Sequence, residues 1–385
     1  YDAAYDMYDD AQVMQAIGER ASKWELRSEK KNPTEVRQHI EDNLLRENFK
    51  ALKTGDVHGN FGMHQSSAAW TGVVLDTMPE TKEIIDWMFA SSTDNFYTQP
   101  DENGVRIHGA NVTAHIVNNV DRDGHGAESA PNYNYIWLGG VMNIADVLAG
   151  YKTYEAGDLY QNPVFMKMFK AYGPLTLTRR ATAQIGDSGA TGKDGFIINQ
   201  GALLKGFYFS GDPELAQLAY AFNGNSTENM HYDSYTPNPN KAASDVRAII
   251  DQYGEYDFDR SQQLAGYGFS ILRDGSIYKT ADSANTVDTQ RDFWLYYGGA
   301  NSHKHADILN LGIEAYGINL APDLGYPEAA DGAEKNVVWG QGTINHNTVM
   351  VNDQGHNRIR SYTNGTPRQN STPLHFDDSG RVKLM

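Results

Sequence analysis

Two histidines stand one residue apart in Asn301-Ser302-His303-Lys304-His305-Ala306-Asp307, and imidazole is the side chain best suited to carry a proton or hold a metal near neutral pH. On an extended backbone residues i and i+2 point to one face, about 7 Å apart, so the pair can serve one site or two adjoining ones. Downstream, Asp323 lies in Ala321-Pro322-Asp323-Leu324-Gly325 and His346 in Asn345-His346-Asn347-Thr348-Val349, each at an expected strand end. His305, Asp323 and His346 together offer two nitrogens and one oxygen, a set that suits zinc and leaves room for water; manganese or another divalent ion is compatible with the same donors. On residue types alone an alternative stands beside it, with Asp323 capping a turn and His346 donating to a backbone carbonyl.

A second cluster is Gly59-Asn60-Phe61-Gly62-Met63-His64-Gln65. Asn60 and His64 share a face if a helix has begun by Asn60; otherwise Asn60 is the cap of the helix that follows. The third runs from Asp123-Gly124-His125 through Glu128 to Tyr133-Asn134-Tyr135, a polar, Gly-containing stretch ahead of an apolar helix and a candidate active-site loop.

These residues need a scaffold of some size. A chain of 385 residues is long for one hydrophobic core, so two structural units are expected. With 21% charged and 40% apolar residues the composition is that of a globular enzyme, and no apolar run approaches a membrane span. There is no cysteine, which excludes disulfides and thiolate chemistry. A formal charge of −17 disfavours nucleic-acid binding, although a cleft lined by Arg, His and Asn can still hold carboxylates. The start at Tyr1 reads as a processed or excised chain, and the end at Leu384-Met385 as a β-domain cut short. Oligomeric state is not legible.

Residues 10 to 255 read mostly as helix. Asn32-Pro33, Pro79, Asn162-Pro163 and Asp212-Pro213 each open an apolar pattern at helical spacing, and segments 133–151 and 196–208 read as close-packing helices. Eight to ten helices in succession without intervening strands point to stacked helix pairs in a toroid or solenoid. Past Tyr256 the period changes: Gly266 to Leu272, an Asp274-Gly275 turn and Ile277-Tyr278 read as strand, turn and strand, with further strands over 291–297, 308–316 and 343–351. The expected division is a helical domain over 1–255 and an antiparallel sheet domain over 256–385.

In this order the three clusters resemble the heparinase II/III-like superfamily of polysaccharide lyases, nearest to its alginate-lyase-type members. The resemblance is strongest over His303 to Pro327 and Asn345 to Asp353, and weaker over Asn60 to Gln65 and Glu128 to Asn134. It implies an incomplete (α/α) toroid followed by an antiparallel β-sandwich, with the substrate groove where they meet. By motif, Tyr133 resembles the catalytic tyrosine, Asn60 the residue that neutralises the substrate carboxylate, and His64 the helical-domain catalytic histidine, although many relatives place His where this chain has Phe61. His303 resembles the histidine facing the groove, Glu128 falls in the substrate-binding stretch, and His305, Asp323 and His346 resemble ligands of a structural metal, zinc by expectation. The implied protein is a secreted or periplasmic bacterial lyase acting on an acidic polysaccharide.

Such a reaction removes the C5 proton of a uronate, which is weakly acidic because the carbanion sits beside a carboxylate. Donors on that carboxylate stabilise the intermediate, and Tyr133 can protonate the departing O4; a base role for tyrosine, with a solution pKa of ~10, calls for positive charge nearby. Alginate is the first expected substrate, because no dense cluster of Arg and Lys for sulfate is evident, with glycosaminoglycans next. A glycoside hydrolase would need two facing carboxylates, for which Asp123, Glu128 and Asp187 are available. A non-catalytic glycan binder would use Trp70, Trp137, Trp294 and Tyr297.

Overall fold

The computed structural model describes residues 1–26, 30–57, 62–90, 112–151, 157–190, 193, 195–232, 238–279, 286–298, 303–326, 335–356 and 372–385. The helices are α1 (Ala11–Lys23), α2 (Pro33–Ile40), α3 (Glu47–Thr54), α4 (Met63–Leu75), α5 (Glu80–Phe89), α6 (Val112–Asn119), α7 (Pro131–Leu148), α8 (Pro163–Lys170), α9 (Gln200–Ser210), α10 (Pro213–Phe222) and α11 (Pro239–Tyr253). None of the described helices is long and apolar enough to cross a membrane. Two compact units form, one from residues 1–115 with 140–159, the other from residues 116–139 with 160–385.

In the first unit α3 packs on α4 and α4 on α5. Asn32 caps α2 by accepting from Glu35 N, with Pro33 in the first turn, and α2 continues through a π-helical turn into α3. In the second unit α8 to α11 pack in sequence; Asn162 and Asp212 cap α8 and α10. Helix α9 starts at Gln200 and not at Phe196, because the Asn199 side chain accepts from Gly201 N and ends the extended entry segment.

Strands occur within the helical stretch too, contrary to expectation. β1 (Thr176–Leu177) and β2 (Ala181–Thr182) form a small hairpin, turned by Thr178 and Arg179 at φ 44° and 58°. It packs on the later sheet: Leu175, Leu177, Ala183 and Ile185 share one core with Leu264, Tyr267, Phe269, Ile271, Trp294 and Tyr296.

That sheet comprises β3 (Gln262–Leu264), β4 (Phe269–Asp274), β7 (Arg291–Tyr296), β8 (Asn310–Ala315) and β9 (Ile318–Asn319), antiparallel in the order β3-β4-β7-β8-β9. β5 (Ile277–Lys279) pairs with β6 (Thr286–Asp288). Asp274-Gly275 is therefore not a hairpin reversal. Asp274 pairs with Arg291 and Ile277 with Asp288, so β4 runs on into β5 beside a partner that runs from β6 into β7. Gly275, at φ 75°, interrupts the ladder of one long ribbon without shifting its register. The expected strand over 343–351 is also absent: Thr343–Asn345 is a short 3-10 turn, and Asn347 docks on β8, donating N–H to Asn310 Oδ1 while its carbonyl accepts from Leu311 N.

Side chains alternate across the sheet, and both faces are apolar. Phe269, Ile271, Trp294 and Tyr296 face the core, whereas Leu272, Phe293 and Ile313 form a cross-strand row on the other side, with Phe293 39% exposed. Trp294 lies over Gly312, its register partner, and a Cβ there would come 1.9 Å from the indole. Gly312→Ala is expected to destabilise the fold by roughly 1–3 kcal/mol through overpacking, read as a lower urea midpoint; an unchanged midpoint would show that the indole has room to move.

Candidate active site and metal centre

Tyr133 sits in the first turn of α7, where Pro131 is the first helical residue and the N–H groups of Tyr133 and Asn134 both donate to Ala130 O at 3.1 Å. The Asn134 side chain reaches back to the preceding loop: Nδ2 donates to Glu128 O at 2.9 Å and Oδ1 accepts from Glu128 N at 3.4 Å. This bracket holds the Glu128 carboxylate beneath the helix start. Its Oε1 accepts from Trp137 Nε1 at 3.3 Å and its Oε2 lies 2.8 Å from His303 Nδ1. The His303 ring stacks on Tyr133, centroids 3.4 Å apart and planes within 9°.

The structure thus brings together Glu128, Tyr133 and His303 from segments distant in sequence. With Nδ1 donating to Glu128, His303 turns Nε2 away from the carboxylate, and its side chain keeps 31% of its accessibility. Glu128 is 5% exposed, a place from which it orients His303. His64 lies on the buried side of α4 in the first unit. That helix begins at Met63 with Gly62 as its N-cap; Asn60 lies outside the described residues.

The two histidines of the His-Lys-His segment do not share the face of a strand. Residues 303–307 are irregular, and His303 has a left-handed backbone at φ 46°, which sends the two rings to different places. His305 is buried, with Nδ1 3.0 Å from His346 Nε2 and 3.7 Å from Asp323 Oδ1; His346 Nε2 is 3.3 Å from Asp323 Oδ2. These three residues form a buried group able to hold a metal ion.

The outer hydrogen bonds decide what the inner atoms can do. His346 Nδ1 is 2.8 Å from Gly342 O and His305 Nε2 is 3.0 Å from Asp187 Oδ1. Both acceptors require N–H on the outer nitrogen, so both inner nitrogens present lone pairs, and they face each other and a carboxylate. Such a cluster needs a positive charge at its centre. Tetrahedral zinc with bonds of about 2.0–2.1 Å separates its ligand atoms by roughly 3.3 Å, and the three observed separations bracket that value. In the metal-free protein a proton fills the role: burial opposes it, but Asp187 and Asp323 hold His305 up to about 10. Asp323 is held below the usual carboxylate range because His305 and His346 outweigh its burial, and it is fixed by Asn310 Nδ2 and Gly325 N.

Asp187, one of the carboxylates a hydrolase would draw on, is buried against His305 and Gln341. Its one signal was its place between two glycines in Ile185-Gly186-Asp187-Ser188-Gly189. Asp123 is likewise engaged, accepting from Gly266 N and Tyr267 N. Of the aromatic residues available to a sugar groove, Trp137, Trp294 and Tyr297 are buried and Trp70 is half exposed.

Residues 260–383 match the family model described as "Heparinase II/III-like, C-terminal". The chain carries a heparinase II/III-like C-terminal domain. His303, His305, Asp323 and His346 all fall inside this heparinase II/III-like domain, whereas Glu128, Tyr133 and Asp187 precede it. Among solved structures, "Heparinase III-BT4657 gene product" matches with a TM-score of 0.50 at 15% identity, over 88% of this chain and 44% of that one. Its methylated-lysine form matches at 0.52, 14% identity, 89% and 45%. Heparan sulfate lyase HepC from Pedobacter heparinus matches at 0.47, 15% identity, 89% and 45%. The likeness is one of fold, and the chain spans less than half the length of these structures. No curated protein matches the sequence.

Proposed function

We propose that the protein is a polysaccharide lyase that cleaves a uronic-acid polymer by β-elimination. The observation that carries this reading is the face-to-face stack of Tyr133 and His303 with His303 held by Glu128. Elimination needs a base for the C5 proton and an acid for O4, which can be one group or two, and a donor that neutralises the uronate carboxylate while negative charge builds on it. The Tyr133 hydroxyl is the proton carrier. As the phenolate it takes the C5 proton, the C5–H electrons form the C4–C5 double bond, the C4–O4 bond breaks, and the resulting phenol returns the proton to O4. His303 Nε2, oriented by Glu128, binds the carboxylate; Asn60 and His64 keep the carboxylate-binding and catalytic roles that the family resemblance implies. Preorganised donors of this kind are worth about 3 to 4 kcal/mol each.

Zinc is the ion we assign to His305, Asp323 and His346. When bound it supplies fixed positive charge that ties three loops together; the proton transfers belong to Tyr133 and its neighbours. On this reading residues 1–255 form an incomplete (α/α) toroid and residues 256–385 one layer of a β-sandwich, whose second layer would cover the row Leu272, Phe293 and Ile313. Export to the periplasm or medium completes the proposal, since polymers of this size do not enter cells.

For the substrate we favour a heparan-type glycosaminoglycan over alginate. The better-matching solved structures bear the name heparinase III, whereas alginate rests on the resemblance to alginate-lyase-type members and the lack of a dense Arg and Lys cluster. A glycoside hydrolase gains little support, because Asp123, Glu128 and Asp187 are all committed to internal partners. Incubation with heparan sulfate, chondroitin sulfate, hyaluronan and alginate, followed by ultraviolet absorbance of the unsaturated uronate, separates the readings. We expect the largest signal with heparan sulfate. A signal with alginate alone would restore alginate as the substrate, and none with any uronan would overturn the lyase reading.

A further inference from the structure

Asp187 reaches both histidines of the His-Lys-His segment through different atoms. Its carboxylate Oδ1 accepts from His305 Nε2 at 3.0 Å and from Gln341 Nε2 at 3.3 Å, while its backbone N–H donates to the His303 carbonyl at 3.1 Å. Gln341 braces the same loop, since its own carbonyl accepts from Ala306 N at 3.0 Å. Beside it, Gly186 has φ 58° and approaches His303 so closely that a Cβ would lie 2.2 Å from the His303 carbonyl oxygen.

We propose that Asp187 is the positioning residue that orients His305 for a divalent metal ion and, through its main chain, couples that ion to the placement of His303. The carboxylate touches neither substrate nor ion. By accepting the Nε2 proton it fixes the His305 tautomer that points a lone pair from Nδ1 toward Asp323 and His346, and it makes that nitrogen a stronger donor. The main-chain bond from the same residue fastens His303 at a backbone conformation that a β-carbon-bearing residue seldom adopts. Metal pocket and stacked histidine therefore share one two-residue buckle, Gly186-Asp187. A side chain at position 186 would push on His303 without removing a contact to His305.

This inference rests on the metal and His303 roles proposed above, and it is tested by a readout independent of turnover. Zinc affinity of the full chain is measured by competition with a chromophoric chelator for the wild type, Asp187→Ala and Gly186→Ala. Asp187→Ala is expected to bind zinc about 10- to 100-fold more weakly, and Gly186→Ala to lose turnover and, because coupling is reciprocal, to bind zinc more weakly as well. Nitrogen-15 NMR of the zinc-loaded wild type needs no folded variant, and should show His305 protonated on Nε2 with zinc on Nδ1. Wild-type zinc affinity in a folded Asp187→Ala, or the opposite His305 tautomer, overturns the role of Asp187; full turnover in Gly186→Ala overturns the coupling. A wild type that binds no zinc would instead overturn the metal assignment beneath it.

Discussion

Replacing Tyr133 by Phe is expected to lower kcat by about 10²- to 10⁴-fold, the range in which one positioned acid–base group contributes, with KM nearly unchanged. The substitution deletes one oxygen and keeps the ring. The stack on His303 at 3.4 Å and the hydrogen bonds that start α7 do not involve the hydroxyl, so the site should keep its shape. A fall in kcat at constant KM is the mark of an interaction made in the transition state alone. Steady-state kinetics on the unsaturated product measure both constants, and a variant with wild-type kcat would remove Tyr133 from the chemistry.

Stripping the metal is expected to have the next largest effect, and on folding as well as activity. An ion present at 1,000 times its Kd stabilises the native state by about 4.1 kcal/mol, so a strong chelator should lower the melting temperature by several degrees, and zinc should restore it. His346→Ala should melt at the chelated temperature and respond to neither reagent, because it removes one of three donors whose inner atoms lie within 4.8 Å of one another. A direction with pH follows too. The metal-free His305 keeps its proton up to about 10, so zinc must displace a proton at neutral pH, and zinc affinity should fall as pH falls. Scanning calorimetry with and without chelator checks the first claim, and a melting temperature indifferent to chelator and zinc would contradict it.

Much of this was legible from residue types, because the relevant physics is local. Asn32-Pro33, Asn162-Pro163 and Asp212-Pro213 begin helices for the capping reasons that make them recognisable. The donors of the metal group could be named since few side chains bind zinc. Geometry set by distant contacts was another matter. Gly275 serves a continuing ribbon as readily as a hairpin, and which one it serves depends on where β6 pairs. Thr343 to Val351 alternates like a strand, yet Asn347 spends its hydrogen bonds on Asn310 and Leu311 instead. The left-handed backbone of His303 separates two rings that an extended chain would have kept on one face. The tie of Asp187 to His305 spans 118 residues and leaves no local signature.

The most direct test of the account is the mass of the products released from heparan sulfate. Elimination divides the chain without adding water, so the fragment bearing the new non-reducing end should be lighter by one water than its hydrolytic counterpart and should carry the unsaturated uronate. We predict that mass for wild-type protein, with no such fragment from Tyr133→Phe. Fragments whose masses sum to the parent plus one water per cut, with saturated uronate at the new end, would mean hydrolysis and contradict the assignment of Tyr133 and His303 to an elimination.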